Sequence, residues 1–203
     1  MKYLTSVAAA IAAAVSVSAA HATTIDFETN APDNFIQTSP LTNFYSGLGV
    51  TFAGVDGNGG SILDQASNFG ISAHSGSDFL AFNINVGTGD AEAVNFTTPV
   101  TNFSIFVGDG TGATYTASAF DANGTLLGLS SVSPGGGVYG ELVISSPNIS
   151  QVVFSGPGFF VADDLSFNTS GGVPEPALWA MMLVGFGSAG ALIRSRRRSL
   201  AIG

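Results

Sequence analysis

The chain of 203 residues contains no cysteine. That excludes disulfides, thiol nucleophiles and thiolate-ligated zinc, and it leaves stability to the core, with a metal as the remaining aid. Basic residues are nearly as scarce: the five that occur are Lys2, Arg194, Arg196, Arg197 and Arg198, all close to the two ends. Residues 23–172 therefore hold no Lys or Arg, while thirteen of the fourteen acids lie among them. Nucleic acids are bound through cations set against phosphates, so that role is excluded, as is any anionic substrate needing an arginine clamp. Carboxylates without basic partners repel one another. A bound divalent cation would relieve part of that repulsion, and solvated loop acids that keep the domain soluble are the alternative. Tryptophan and any sustained 3.6-residue apolar stripe are also absent from 23–172, and the missing stripe argues against helices.

The two ends have their own composition. Lys2, an Ala-rich apolar stretch over 4–17 and the A-x-A site Ala20-His21-Ala22 read as a secretory signal peptide over residues 1–22, handled by the general secretion machinery and cut by signal peptidase near Thr23. At the other end, residues 177–193 run for 17 positions without a charge. As a helix they would span about 26 Å, close to the roughly 30 Å of a bilayer core. Trp179 stands at an interfacial position and the Arg cluster behind the span would stay cytoplasmic, so residues 23–172 are expected outside. Gly185-Phe186-Gly187-Ser188-Ala189-Gly190 fits the dinucleotide pattern G-x-G-x-x-G, but it lies within the apolar span and not between a strand and a helix. Small residues there allow close approach of helices.

Val173-Pro174-Glu175-Pro176, then Trp179-Ala180-Met181-Met182-Leu183, Gly185-Phe186-Gly187 and the Arg run resemble the PEP-CTERM sorting signal of Gram-negative bacteria, a tail also called the ice-binding protein C-terminal domain. The likeness covers residues 173–203. It implies that an exosortase, a membrane-embedded cysteine transpeptidase, cuts near the Pro-Glu-Pro and passes the body from an inner-membrane intermediate to the cell surface or extracellular matrix. A permanent single-span anchor without processing is the alternative.

Residues 23–172 form one domain's length. Short apolar alternations broken by Gly, Asn, Asp, Ser and Pro predict an all-β fold, an antiparallel β-sandwich of jelly-roll type. Ten strands are expected, over 24–28, 49–53, 79–83, 93–97, 102–107, 114–120, 126–132, 140–145, 151–155 and 160–167. Asp121-Ala122-Asn123-Gly124 reads as a hairpin turn in which Asn-Gly supplies positive φ. Val94 and Phe96, and likewise Phe103, Ile105 and Val107, alternate with polar neighbours and are expected in the core, as are most of the phenylalanines.

Asp26-Phe27-Glu28 near the start, Gly76-Ser77-Asp78-Phe79 in the middle and Ala162-Asp163-Asp164-Leu165 at the end make the body similar to MAM domains and carbohydrate-binding-module sandwiches. The body departs from them in having no cysteines and no tryptophan for stacking a sugar. The resemblance implies that the first and last strands are neighbours and that their acids bind a structural Ca²⁺. The expected ligands are Glu28, Asp78 and one or both of Asp163 and Asp164, with Asp26 next. Ca²⁺ prefers six to eight oxygens. Strand alternation turns Asp163 and Asp164 to opposite faces unless the strand bulges. The alternative is that these acids cap turns.

Other chemistry is thinner. Asp56-Gly57-Asn58-Gly59-Gly60 lacks the third acid and closing Glu of an EF-hand, and Gly108-Asp109-Gly110-Thr111-Gly112 reads as an isolated turn. His74, the only histidine of the body, sits among serines, where local hydrogen bonding is the simpler reading than a Ser-His-Asp triad. No two carboxylates are singled out for glycoside hydrolysis. The sequence thus predicts a non-catalytic surface or biofilm component that binds exopolysaccharide through loop Asn, Asp, Ser and Thr. The alternatives are a secreted polysaccharide hydrolase and an ice-binding adhesin, for which Thr97-Thr98 and Thr114-x-Thr116 make too small a Thr face.

Overall fold

Alternation of apolar and polar side chains governs each strand. In Tyr115–Phe120, residues Tyr115, Ala117 and Ala119 are buried while Thr116 is exposed. The computed structural model describes residues 22–30, 32, 41–54, 59–82, 91–156 and 158–169. Outside them lie Ala20, Asp56, Val173, Pro174, Glu175, Pro176, Trp179 and the Arg cluster, with the expected signal and membrane helices. Among the described residues no helix is long and apolar enough to cross a membrane.

Among the described residues nine strands are present: β1 (Ala22–Ile25), β2 (Val50–Gly54), β3 (Ser61–Leu63), β4 (Phe79–Ala81), β5 (Ala91–Gly108), β6 (Tyr115–Phe120), β7 (Leu126–Val132), β8 (Gly140–Ser155) and β9 (Val161–Thr169). A one-turn helix α1 (Ala66–Phe69) separates β3 from β4. All pairings are antiparallel. The expected all-β class is what the described residues adopt, with corrections to the strand list. The segments 93–97 and 102–107 are halves of β5, and 140–145 and 151–155 are halves of β8. Pro99 and Pro147 both stand where the β5–β8 ladder shifts register, a position that needs no proline N–H. Strand β1 also ends at Ile25, short of the expected Glu28, and β3 and α1 were not expected.

At these bulges the long strands pass from one layer to the other, as corner strands do. The first half of β5 pairs with β2 and the second half of β8, which continues to β6 and β7. The second half of β5 pairs with β9 and the first half of β8, and β9 continues to β4 and β3 on one stretch and to β1 on another. The inward residues switch from Glu92, Val94 and Phe96 to Phe103, Ile105 and Val107 across the bulge. Phe103 and Phe82 meet Phe154 across the layers, at ring distances of 6.4 and 5.2 Å. Full burial of such side chains contributes roughly 1.5–3 kcal/mol each. At the β6–β7 hairpin, Asp121 Oδ1 accepts the N–H groups of Asn123 and Thr125, both at 2.8 Å, and Gly124 alone takes positive φ.

A second, smaller core of Leu63, Phe69, Ile71, Phe79, Ala81 and Val161 lies on the outer side of the β3–β4–β9 edge, since Leu80 and Ala162 alternate into the main core. Residues 64–78 cover it. Everything described belongs to one unit, Ala20–Ser170, with its own two cores.

Candidate functional site: a carboxylate clamp and an open groove

Strand β9 bulges where Ser104 pairs with Ser166 but Phe106 pairs with Asp163. Asp164 absorbs the extra residue with φ of 48°, a conformation uncommon outside glycine. The bulge turns both carboxylates toward the loop over residues 74–78. Asp163 Oδ2 accepts the N–H groups of His74 (2.8 Å) and Ser75 (3.0 Å), and its Oδ1 accepts Asp164 N–H (2.8 Å). Asp164 Oδ1 accepts the Ser75 hydroxyl (2.8 Å), and Oδ2 lies 2.6 Å from His74 Nδ1. The imidazole stacks on Phe106 at 3.7 Å.

The far side of the loop is held from the N-terminal segment. Glu28 Oε1 accepts Ser77 N–H (2.8 Å) and Asp78 N–H (2.9 Å), while Asp78 Oδ2 accepts Thr29 N–H (3.0 Å). Gly76 sits beneath Glu28 at φ +56°, where any Cβ would overlap that carboxylate. Phe27, fully buried, also has positive φ. Hydrogen bonds to charged groups contribute about 1.5–3 kcal/mol each, so the loop is fixed by anions accepting backbone donors.

The clamp has an electrostatic cost. Asp163 is 0 % exposed, and burial pushes its pKa up to about 6 against the opposing N–H bonds from Ser75, Asp164 and His74. Tyr45 is pushed up to about 12, by burial first and then by the field of Asp26, Asp78, Asp163 and Glu28.

Glu28, Asp78, Asp163 and Asp164 are thus brought to one loop, and each carboxylate already accepts a protein donor there. Asp26 is exposed and accepts Glu28 N–H at 3.2 Å. Among the described residues no group of three or more His, Asp or Glu is placed to hold a metal. These carboxylates spend part of their acceptor capacity on the loop's N–H groups. Nor does a catalytic relay form among the described residues: Ser75 hydrogen-bonds Asp164, and no hydroxyl reaches His74 Nε2.

The groove lies elsewhere, between α1 with Gly70, the turn 109–112 and residues 158–159, with a volume of about 670 Å³. Its floor is close-packed backbone, for a Cβ on Gly110 would lie 2.7 Å from Gly70 Cα. Phe159, 39 % exposed, forms one wall and meets Phe69 edge-on at 5.5 Å. Ser67, Asn68 and Thr111 are exposed at the rim. Asp109 is spoken for: Oδ1 accepts Thr111 N–H (2.6 Å), Gly112 N–H (2.5 Å) and the Thr111 hydroxyl (3.0 Å), and Oδ2 accepts the Tyr115 hydroxyl (2.8 Å). Burial pushes the Asp109 carboxyl up, and these bonds outweigh it and hold it below the ordinary value. The groove thus offers an aromatic wall and neutral hydroxyl and amide groups. Gly108-Asp109-Gly110-Thr111-Gly112, read from sequence as a plain turn, supplies one side of it.

No family model matches the chain, and no curated protein matches it. Several solved structures are similar in form. One is the N-terminal part of the Clostridium thermocellum endo-1,4-β-D-xylanase 10B, its CBM22-1 and GH10 modules in complex with xylohexaose, at 10 % identity and TM-score 0.38, covering 60 % of this chain but only 26 % of that one. Another is the family 32 CBM from C. perfringens NanJ in complex with galactose, at 15 % identity and TM-score 0.40, covering 66 % of this chain and 99 % of that one. A third is the K3 cleaved adhesin domain of Lys-gingipain from Porphyromonas gingivalis, at 12 % identity and TM-score 0.37, covering 59 % and 90 %. Likeness at this level carries no activity across.

Proposed function

We propose that the chain is an exported, non-catalytic surface or matrix protein whose β-sandwich holds neutral sugar units of an exopolysaccharide in the open groove. The observation that supports this is the groove's chemistry. Phe159 presents an apolar wall propped on Phe69, Ser67, Asn68 and Thr111 place uncharged polar groups at the rim, the Asn68 amide donating also to Gln65 Oε1 and the Thr111 hydroxyl to Asp109, and the one acid there is consumed by its own turn. Sugars pair an apolar C–H face with hydroxyls, and sites for them combine apolar walls with a few polar groups. An anionic glycan would meet no cation in residues 23–172.

Affinity electrophoresis against neutral and uronic-acid polysaccharides tests the reading. Retardation by a neutral polymer, weakened about tenfold (about 1.4 kcal/mol) by Phe159→Ala, is the expected result. No retardation by any polymer leaves the chain without a glycan role.

Export through residues 1–22 and sorting through Val173, Pro174, Glu175 and Pro176 belong to the same proposal. An intact C-terminus on protein recovered from the cell surface would remove the exosortase step. Calcium is a separable part, with Glu28, Asp78, Asp163, Asp164 and Asp26 as its ligands. A ligand at a hundred times its dissociation constant adds about 2.7 kcal/mol, so identical melting curves with Ca²⁺ and with chelator would remove the metal.

A further inference from the structure

Among the described residues the strand order ends at β7, which pairs with β6 on one side only. An unpaired edge is a template for another strand, and proteins commonly blunt it with charge, proline, shortness or cover. Three other edges here show such devices. Strand β3 has three residues and is followed by Asp64, β1 has four and is followed by Asp26, and on β2 the Phe52 N–H is taken by Thr42 O at 2.8 Å. Strand β7 is the longest of these edges and has neither charge nor proline: Leu126-Leu127-Gly128-Leu129-Ser130-Ser131-Val132 runs for seven residues, with a bulge at Leu127 as its one irregularity. Leu126 and Leu129 are 50 % and 69 % exposed.

We propose that β7 pairs antiparallel with β7 of a second copy of this chain, joining two domains through one continuous sheet. The occupant follows from charge. Residues 23–172 carry thirteen acids and no base, so two copies repel wherever acidic surfaces meet. Residues 122–140, which include all of β7, contain no charged residue. A twofold at Leu129 sets Leu129 against itself, Gly128 against Ser130, Leu127 against Ser131 and Leu126 against Val132. Self-pairing brings like residues together about the axis, so a single acid in this strand would set two carboxylates close to each other. Cross-strand neighbours lie about 4.5–5.5 Å apart at Cβ, which makes Leu129 the side chain most sensitive to such a charge. The inference is independent of the groove, which lies on other segments.

Sedimentation equilibrium on the full chain, with and without detergent, and on the Ala20–Ser170 unit tests it. The expected mass is that of two chains, with association tightening as salt screens the acidic surfaces. Debye lengths fall from about 10 Å at 0.1 M to about 3 Å at 1 M. Leu129→Glu should weaken association at least about tenfold, and an equal mixture of Leu129→Glu and Leu129→Lys chains should restore it. That rescue separates a lost contact from a lost fold. A single-chain mass at every concentration overturns the proposal, even if the chain then captures an extended segment of another protein. So does a dimer whose strength Leu129→Glu leaves unchanged.

Discussion

The two layers of the sandwich treat their outer faces in opposite ways. On the β9 side, residues 64–78 fold back over the sheet, bury a second core and are tied down by Asp163, Asp164, Glu28 and Asp78. On the β6 side the outer face is bare of charge. Its cross-strand rows run Thr51–Asn95–Gln151, Ala53–Ala93–Val153–Ser118–Leu129 and Ala91–Ser155–Thr116–Ser131. Polar neighbours there satisfy one another, Gln151 Nε2 donating to Asn95 Oδ1 at 2.7 Å and Thr116 meeting Ser155 at 3.2 Å. In a domain without cations, the counter-charge open to a buried acid is a backbone N–H. Acids therefore gather where a folded-back loop offers such donors, and a face that carries no loop has no use for them.

The largest effect should come from removing the clamp's centre. Asp163→Ala leaves the His74 and Ser75 N–H groups without their acceptor, and denaturant unfolding should show a loss of about 2–4 kcal/mol. Asp163→Asn keeps an acceptor and drops the charge, so its loss should be clearly smaller.

The same residue gives a pH signature. Its pKa of about 6 in the fold stands against about 3.9 in the unfolded chain, so the fold takes up the proton first. The penalty is present in full above pH 6 and is relieved as pH falls toward 4, by on the order of 2–3 kcal/mol. Unfolding free energies at pH 7 and pH 5 should show about half of that gain, on the order of 1 kcal/mol, in the wild type and none of it in Asp163→Asn. Asp109 has the opposite sign: its pKa is lowered, so its stabilisation holds above the ordinary carboxylate pKa and is lost as pH drops below it.

Next in size is Gly76→Ala, which combines a left-handed φ with overlap on Glu28 and should cost about 1–3 kcal/mol. The smallest effect belongs to the bare face. Ala93→Ser adds one hydroxyl among neutral neighbours and should shift stability by no more than about 0.5 kcal/mol. A large loss there would mean that this face is as tightly built as the clamped one.

Local chemistry explains which parts could be read from the chain. The Asp121–Thr125 turn and β7 follow from a capping Asp, a Gly and alternation, all within a few residues. The corners of β5 and β8 were hidden because Pro99 and Pro147 look like strand ends, and only the facing register shows that both fall in one bulged stretch. Short motifs did single out Glu28, Asp78, Asp163 and Asp164 as neighbours. That they meet as acceptors depends on the bulge at Asp164 and the positive φ of Phe27 and Gly76, which no alternation rule contains. The groove left no signature, because Phe69, Gly110 and Phe159 are distant in sequence and its floor is glycine backbone.

The pairing of β1 with β9 matches Ala22 to Asn168 and Ile25 to Leu165, and it has a bearing on timing. A ladder that joins the first described strand to the last cannot close until nearly the whole domain has left the ribosome. Contacts so distant in sequence slow folding, because chain closure must precede the gain they bring. Glu28, just beyond β1, holds the loop that Asp163 in β9 also holds. The clamp is therefore among the last features to form.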